Sequence, residues 1–152
     1  MLKKYEGKGF WKRPTTYKPG VQLTEKQISE IEEFLDVELP QPYISLMKEQ
    51  NGGELYYRYV LFNDGEAALI PYFQELDLET GVGLSSIFSE QFELPSRQIL
   101  LTGDMHTWIT LDYRFSNTPR VCYFTELEDG RWAEEVIAET FEDFLCKLFI
   151  KE

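Results

Sequence analysis

Apolar residues near the start of the chain recur at intervals of three and four, which predicts one apolar face of a helix. They are Ile28, Ile31, Phe34 and Leu35. Thr24, with Gln27 three residues later, forms the capping-box pattern that begins many helices. We therefore expect a helix that starts after Thr24 and turns all four apolar residues toward a core.

The segment DVELPQP interrupts this pattern, because Pro40 and Pro42 cannot continue the hydrogen-bond ladder of a helix. A second, short helix is predicted to follow. Its inward-facing residues are expected to be Tyr43, Leu46 and Met47. Asn51-Gly52-Gly53 should end it, because glycine adopts the left-handed conformation common at helix ends. We interpret this glycine pair as structural.

From residue 55 the hydrophobic pattern changes to a period of two or to continuous apolar runs, which predicts strands. The predicted strands are LYYRYVLF (55–62), AALIPY (67–72), ILLTG (99–103), HTWITLDY (106–113), RVCYFT (120–125) and WAEEVIA (132–138). The Asp-Gly turn NDGE (63–66) joins the first two, and a tight turn at 103–105 joins the next two. Between these hairpins, SSIFSEQF (85–92) is typical of a helix start capped by Ser85 or Ser86.

A final helix is predicted from Thr140, which is an N-cap residue with Asp143 three positions later. Its apolar stripe would consist of Phe141, Phe144, Leu145, Leu148 and Phe149. Two helices, a group of strands and a last helix are typical of an α+β fold, because the strands cluster instead of alternating with helices. The expected architecture is a mostly antiparallel central sheet with N-terminal helices and a C-terminal helix packed at one side.

The first 22 residues show no sustained periodicity and contain several glycines and prolines. We interpret residues 1–22 as a basic, aromatic arm that lies across the body, and residues 23–152 as a single α+β domain. FWKRP followed by Tyr17 interleaves aromatic and cationic residues, as single-strand nucleic-acid binders do. Packing of Phe10 and Trp11 onto the domain is the favoured interpretation.

The net charge of −12 is unevenly distributed along the chain. Residues 1–20 carry six cations and one acid, whereas the remaining 132 residues carry nine cations and 26 acids, a net −17. A body this acidic repels phosphate, so direct binding of nucleic acid is not expected. It attracts a basic partner and accelerates the encounter at low salt. The alternative is that the acidity only maintains solubility.

No apolar run approaches the roughly 20 residues that span a bilayer. The opening MLKKYEGKGFWKRP lacks the apolar centre and cleavage site of a secretory signal. Cys122 and Cys146 fit no metal-binding spacing and are expected to be reduced, half-buried thiols. These features predict a cytoplasmic protein with no membrane partner.

Catalysis through a histidine would have to use His106, the single histidine of the chain, which lies in LTGDMHTWITLDY (101–113). The sequence has no G-x-S-x-G, no phosphate-cradling glycine loop and no H-E-x-x-H. His106 and Asp112 are about 20 Å apart along an extended strand, so they could not hold one metal ion. Among the 27 acids, nothing singles out a pair for glycoside hydrolysis. We therefore predict no catalytic, cofactor-binding or metal-binding residues, and no enzyme.

Alternate residues of this strand, from His106 through Trp108 to Asp112, are expected to share one face. In the structural interpretation, Asp104 accepts hydrogen bonds from the backbone of a turn and Trp108 packs in the core. In the functional interpretation the face binds a partner, because interface hot spots combine aromatic and charged residues. The predicted partner-binding residues are Tyr56, Tyr57, Asp64 and Glu66 from the first hairpin and Asp104, His106, Trp108 and Asp112 from the second.

Two stretches together resemble the SUKH superfamily. LTEKQISEIEEFLDVELPQPYISLMKEQNGGEL (23–55) is similar to its opening helix, leucine-proline break, short helix containing an aromatic, and Asn-Gly-Gly terminus. TGDMHTWITLDYR (102–114) is similar to its glycine-acid turn and the strand that ends in Leu-Asp-Tyr, although the usual turn has glycine where this chain has Met105. The Phe-rich segment 140–148 also fits, so the resemblance covers residues 23–149.

The resemblance implies an α+β fold and a role as an immunity protein in bacterial polymorphic toxin systems. Such proteins bind a cognate toxin, often a nuclease, and block it. The expected partner is thus a basic protein toxin, in particular a nuclease domain, bound by a monomer or a homodimer. The alternative is a non-catalytic regulatory or scaffold module that binds an endogenous protein, as some relatives do, including a eukaryotic regulator of cell-wall synthesis.

Overall fold

The computed structural model describes residues 1–151, which form four α-helices and two four-stranded antiparallel sheets. The helices are α1 (Glu25–Leu35), α2 (Gln41–Glu49), α3 (Ser85–Gln91) and α4 (Phe141–Leu145). The strands are β1 (Leu2–Lys4), β2 (Tyr59–Leu61), β3 (Ala67–Leu69), β4 (Gln98–Gly103), β5 (Thr107–Asp112), β6 (Arg120–Glu126), β7 (Trp132–Ala138) and β8 (Leu148–Lys151). The predicted α+β class is confirmed.

The prediction of one central sheet is wrong, because the strands form two sheets. The second sheet has the order β4-β5-β6-β7, which is the consecutive meander that the sequence predicts. The first has the order β1-β8-β2-β3, so that β8 lies between strands from the opposite end of the sequence. Local periodicity does not reveal a pairing over this sequence distance, and β1 had no strand signal of its own.

Helix α1 begins with the predicted capping box. Thr24 Oγ1 accepts a hydrogen bond from the Gln27 amide at 3.2 Å, and Gln27 Oε1 accepts one from the Thr24 amide at 2.9 Å. Ile28 and Ile31 are buried, but the Phe34 side chain is 62% exposed. The expectation that all four apolar residues face the core is therefore wrong for Phe34.

Helix α2 turns Tyr43, Leu46 and Met47 into the core as predicted. It begins directly after Pro40 and holds Pro42 in its first turn, where a missing amide hydrogen breaks no helical hydrogen bond. Beyond its end, a Cβ on Gly52 would lie 2.9 Å from the Glu75 amide nitrogen, which supports a structural reason for glycine.

The other two helices differ in detail from the prediction. Helix α3 is present, but neither Ser85 nor Ser86 caps it, and the Ser85 hydroxyl instead donates to the Val82 carbonyl at 2.6 Å. Thr140 caps α4 as predicted, since Thr140 Oγ1 accepts from the Asp143 amide at 3.1 Å. That helix ends at Leu145, and residues 148–151 form strand β8, so the longer predicted helix is wrong.

The first residues are part of the packed structure. Phe10 and Trp11 are buried in the main core, which confirms their predicted packing. The Trp11 indole donates to the Leu46 carbonyl at 2.9 Å, and the Tyr56 amide donates to the Phe10 carbonyl at 2.9 Å. This segment thus joins α2 to the stretch that precedes β2.

The main core lies between the inner faces of the two sheets and helices α1, α2 and α4. A second, smaller cluster lies on the other face of the second sheet, against α3. It consists of Leu94, Leu100, Trp108, Cys122 and Phe124. The second sheet is therefore covered on both faces over much of its area. None of the helices within residues 1–151 is long and apolar enough to span a membrane.

Candidate functional site

The turn between β4 and β5 is built around Asp104. Its Oδ1 accepts hydrogen bonds from the His106 amide (3.0 Å), the Thr107 amide (2.8 Å) and the Thr107 hydroxyl (2.9 Å). Partial burial raises the pKa of the Asp104 carboxyl, but these hydrogen bonds outweigh it and leave that pKa below its usual value. Asp104 thus shapes the turn and presents a fixed negative charge at the surface.

His106 follows in the same turn and is largely exposed. Its Nδ1 lies 3.2 Å from Glu126 Oε1 at the end of β6, and the Glu126 amide donates to the His106 carbonyl at 2.9 Å. Glu126 is a candidate that the sequence reasoning missed. It is 20 residues from His106 along the chain, and only the register of β5 and β6 brings the two together.

Trp108 is buried in the smaller cluster and not on an open binding face. Its indole ring packs between Phe88 and Phe92, with ring centres 6.3 and 5.7 Å away. The ring also covers Gly103, where an added Cβ would overlap it. The structural interpretation therefore holds for Trp108 in the unbound protein.

Asp112 is also buried, at the opposite end of β5. The two arginines that follow it in sequence hold it: Arg114 Nε lies 2.9 Å from Oδ1, and Arg120 Nη2 lies 2.9 Å from Oδ2. Gln98 donates a further hydrogen bond to Oδ1 at 2.7 Å, and Arg114 also pairs with Glu134 on β7. Burial raises the pKa of the Asp112 carboxyl, but these hydrogen bonds bring it far below the usual range.

Asp112, Cys122 and Glu134 place one possible ligand atom each within 4.8 Å of one another. These residues do not fit a metal ion. The Asp112 oxygens already accept hydrogen bonds from two guanidinium groups, which also repel a cation. Burial raises the pKa of the Cys122 thiol to about 12, which favours its protonated form beside the Asp112 carboxylate. The cluster is an ion-pair network.

The four residues predicted from the first hairpin differ in their exposure to solvent. Asp64 and Glu66 are exposed in the turn, where Asp64 Oδ1 accepts from the Glu66 amide at 2.9 Å. Tyr56 is partly exposed, whereas Tyr57 is buried and packs edge-on against Tyr5, with ring centres 5.5 Å apart.

The two hairpins approach each other at one pocket of about 300 Å³. Leu69 and Pro71, which follow the first turn, line it together with Asp104 and Thr107 of the second hairpin. The Asp64 turn lies at the other end of β3. Of the eight predicted residues, the exposed ones are Tyr56, Asp64, Glu66, Asp104 and His106. Tyr57, Trp108 and Asp112 are buried and do not lie on an open surface here.

Met105 occupies the tip of the second turn with φ +78°, a left-handed conformation that glycine adopts more easily. We expect Met105→Gly to raise the free energy of unfolding by about 1 kcal/mol, because relief of backbone strain exceeds the added entropy of the unfolded chain. Urea denaturation measures the change. Met105→Ala is the matched control and should give no gain, since alanine keeps the strain. A glycine variant that is less stable than the parent protein would show that the turn is unstrained, because only the added entropy of the unfolded chain would then remain.

Comparison with protein-family models matches the SUKH_6 family, described as SMI1-KNR4 cell-wall, over residues 25–145. This range covers more than half of the chain and runs from α1 through the second sheet to α4. No curated protein and no solved structure matches.

Proposed function

Because the chain belongs to the SUKH_6 (SMI1-KNR4) family, we propose that it is an immunity protein that binds and neutralises a cognate toxin of a polymorphic toxin system. SUKH proteins are known as immunity proteins of such systems and are generally non-catalytic. The family match over residues 25–145 is the observation that carries this proposal. Inhibition would then come from occlusion of the toxin and not from a reaction.

The toxin that suits this chain best is a basic one, in particular a nuclease. A nuclease active site is positively charged because it must hold phosphate, and residues 21–152 carry a net −17. Such a surface would steer association to about 10⁸ M⁻¹s⁻¹ at low salt. The cytoplasm, where a nuclease meets its substrate, is the corresponding site of action.

The contact surface that we propose combines exposed residues from both hairpins with Glu126 at the end of β6. Its members are Tyr56, Asp64, Glu66, Asp104, His106 and Glu126. Asp104 and Glu126 support it most directly, because one is held ionised in a turn and the other lies beside His106. The buried Tyr57, Trp108 and Asp112 would act only by supporting these neighbours.

We expect nanomolar binding and loss of toxin activity when this protein is titrated by calorimetry into a catalytically dead form of the toxin encoded by the adjacent gene. The variant E66K/E126K reverses one exposed charge on the first hairpin and one at the end of β6, beside His106. It should weaken binding about 100-fold, since charge pairs at an interface are worth a few kcal/mol. The affinity should also fall steeply with added salt.

The control variant E30K/E33K makes the same change in net charge on α1, where both side chains also face outward. It should weaken binding only a few-fold, because it reduces the net negative charge of the protein without altering the proposed contact surface. An equal loss in the two variants would contradict the proposed contact surface while leaving the immunity role intact. Absence of binding by the parent protein would contradict the immunity role itself.

A second candidate function is a non-catalytic regulatory or scaffold module that binds an endogenous protein. The cell-wall description of the matched family favours it, because those words name no toxin. Gene position separates the two functions. An immunity gene should lie beside its toxin gene, and a gene with no toxin neighbour would favour the module.

A further inference from the structure

The outer face of the first sheet departs from the pattern expected where a sheet meets solvent. Strand register places eight residues on this side of the sheet: Leu2, Lys4, Tyr59, Leu61, Ala67, Leu69, Phe149 and Lys151. Among them, Phe149 is buried by its neighbours. The residues between them, such as Val60, Leu148 and Ile150, face the main core. Outward positions of a solvated sheet are normally polar. Here each of the eight is apolar or cationic, in a chain with 27 acids.

An aromatic pair occupies the middle of this face, which we call the cationic face and define by these eight residues together with Arg58. The rings of Tyr59 and Phe149 stack with their centres 5.6 Å apart. Lys151 Nζ lies 5.6 Å and the Arg58 guanidinium 5.9 Å from the centre of the Tyr59 ring. The positive charges are therefore held beside an apolar surface.

These cations lack acidic partners. Among the residues that the structure describes, no carboxylate lies within 4.0 Å of Lys4, Arg58 or Lys151. Three leucines of this face are exposed to solvent: Leu2 by 57%, Leu61 by 41% and Leu69 by 54%. Contiguous exposed apolar side chains on a soluble domain are typical of an interaction surface. The unpaired charges indicate that the complementary surface is acidic.

We propose that the cationic face binds an acidic, partly apolar segment of a second protein, separate from the toxin that the acidic turns of the two hairpins would meet. Carboxylates of that segment pair with the two lysines and Arg58. Its apolar side chains cover the three exposed leucines and the edge of Tyr59. The protein then has two surfaces of opposite charge, one for each partner.

Other occupants are less compatible with the charges. Two copies of the chain that met through this face would bring like cations together. An anionic membrane or a nucleic acid would be attracted by a few cations but repelled by the net −17 of residues 21–152. So few phosphate contacts would also give weak binding that salt abolishes. A short acidic protein segment is also repelled by this net charge, but its apolar side chains gain contacts with the exposed leucines.

The test is NMR titration of the full isotope-labelled chain with a soluble peptide of about 12 residues that alternates Glu with Leu. We expect a Kd of roughly 100 μM at low salt and shifted amides in 59–61, 67–69 and 148–151. A Lys-Leu peptide of equal length should not bind at this face. Phosphatidylglycerol vesicles and a single-stranded oligonucleotide are titrated in parallel and should bind more weakly than the Glu-Leu peptide.

Variant K4E/K151E should lower the affinity for the Glu-Leu peptide at least tenfold, and the matched variant K18E/K26E, with the same charge change at exposed lysines elsewhere, should alter it less than twofold. Leu69→Ser is a second, uncharged test and should weaken binding several-fold. K4E/K151E should still neutralise the toxin, which separates this surface from the proposed immunity function.

Three results would overturn the proposal. One is the absence of shifts at the cationic face. Another is tighter binding to vesicles or to the oligonucleotide than to the Glu-Leu peptide. The third is a dimer in sedimentation experiments that K4E/K151E dissociates, which would make the face a contact between copies.

Discussion

Replacement of Asp112 by asparagine is expected to lower the free energy of unfolding by about 3 kcal/mol at neutral pH. The substitution removes the carboxylate that both guanidinium groups share, and loss of one partner from a buried ion pair typically costs 3–5 kcal/mol. We expect the lower end of this range, because Arg114 and Arg120 keep 18% and 27% of their side-chain surface in water. Urea denaturation followed by circular dichroism measures the loss.

The same variant should show a distinct dependence on pH. In the folded protein the Asp112 pKa lies far below that of an unfolded aspartate, which is about 3.9. Its stabilisation is therefore complete above roughly pH 5 and is lost as the pH falls toward the folded pKa. Between pH 6 and pH 3 the gap between parent and variant should shrink by about 1 kcal/mol, since each pKa unit corresponds to 1.36 kcal/mol.

Asp129→Asn is the control for both measurements. Asp129 pairs with Arg131 at 2.6 Å in the exposed turn between β6 and β7, where an ion pair contributes little. Its change should stay below about 0.5 kcal/mol at every pH. A gap between parent and D112N that stays constant down to pH 3 would mean that the Asp112 charge is not the origin of the stabilisation.

Trp11→Ala should lower the free energy of unfolding by about 4 kcal/mol, because truncation of a buried aromatic leaves a cavity. The Trp11 ring packs against Phe10 and Phe73, with ring centres 4.8 and 6.2 Å away. The variant also leaves the Leu46 carbonyl without the indole hydrogen bond. Circular dichroism during urea denaturation measures the loss without relying on tryptophan fluorescence.

Phe34→Ala is the matched control on an exposed aromatic and should change the stability by less than about 0.5 kcal/mol. Similar small losses in both variants would show that residues 1–22 are a detachable arm. A large loss for Trp11 alone would show that these residues are needed for the fold.

The parts of the fold that the sequence predicted correctly depend on signals within a few residues. The capping box at Thr24, the N-cap at Thr140 and the Asp-Gly turn at 63–66 are all of this kind. The end of α4 could not be predicted in the same way. Leu148 lies four residues after Phe144, so helical spacing and strand alternation both turn it inward, and the pattern does not separate the two structures.

In the candidate site, the sequence predicted which residues share a strand face but not which elements cover that face. Alternation correctly places Trp108, Thr110 and Asp112 on one face of β5, but a period of two does not say what covers that face. Helix α3 covers Trp108, and two arginines enclose Asp112. The sequence did contain a signal for the enclosure of Asp112. Arg114 and Arg120 follow it within the single hairpin β5–β6, so strand pairing brings them near its carboxylate. The position of Glu126 beside His106 depends on the register between β5 and β6, and a single sequence holds little evidence of that register.

The central place of β8 in the first sheet has a consequence for synthesis in the cell. Strands β1 and β2 are not paired with each other, and each pairs with β8. A nascent chain that has not yet reached residue 148 can form the meander of the second sheet, but its first strand has no partner. The cationic face can be assembled only when residues 148–151 have left the ribosome. A premature stop upstream of them removes the middle of a sheet whose other strands have already been translated.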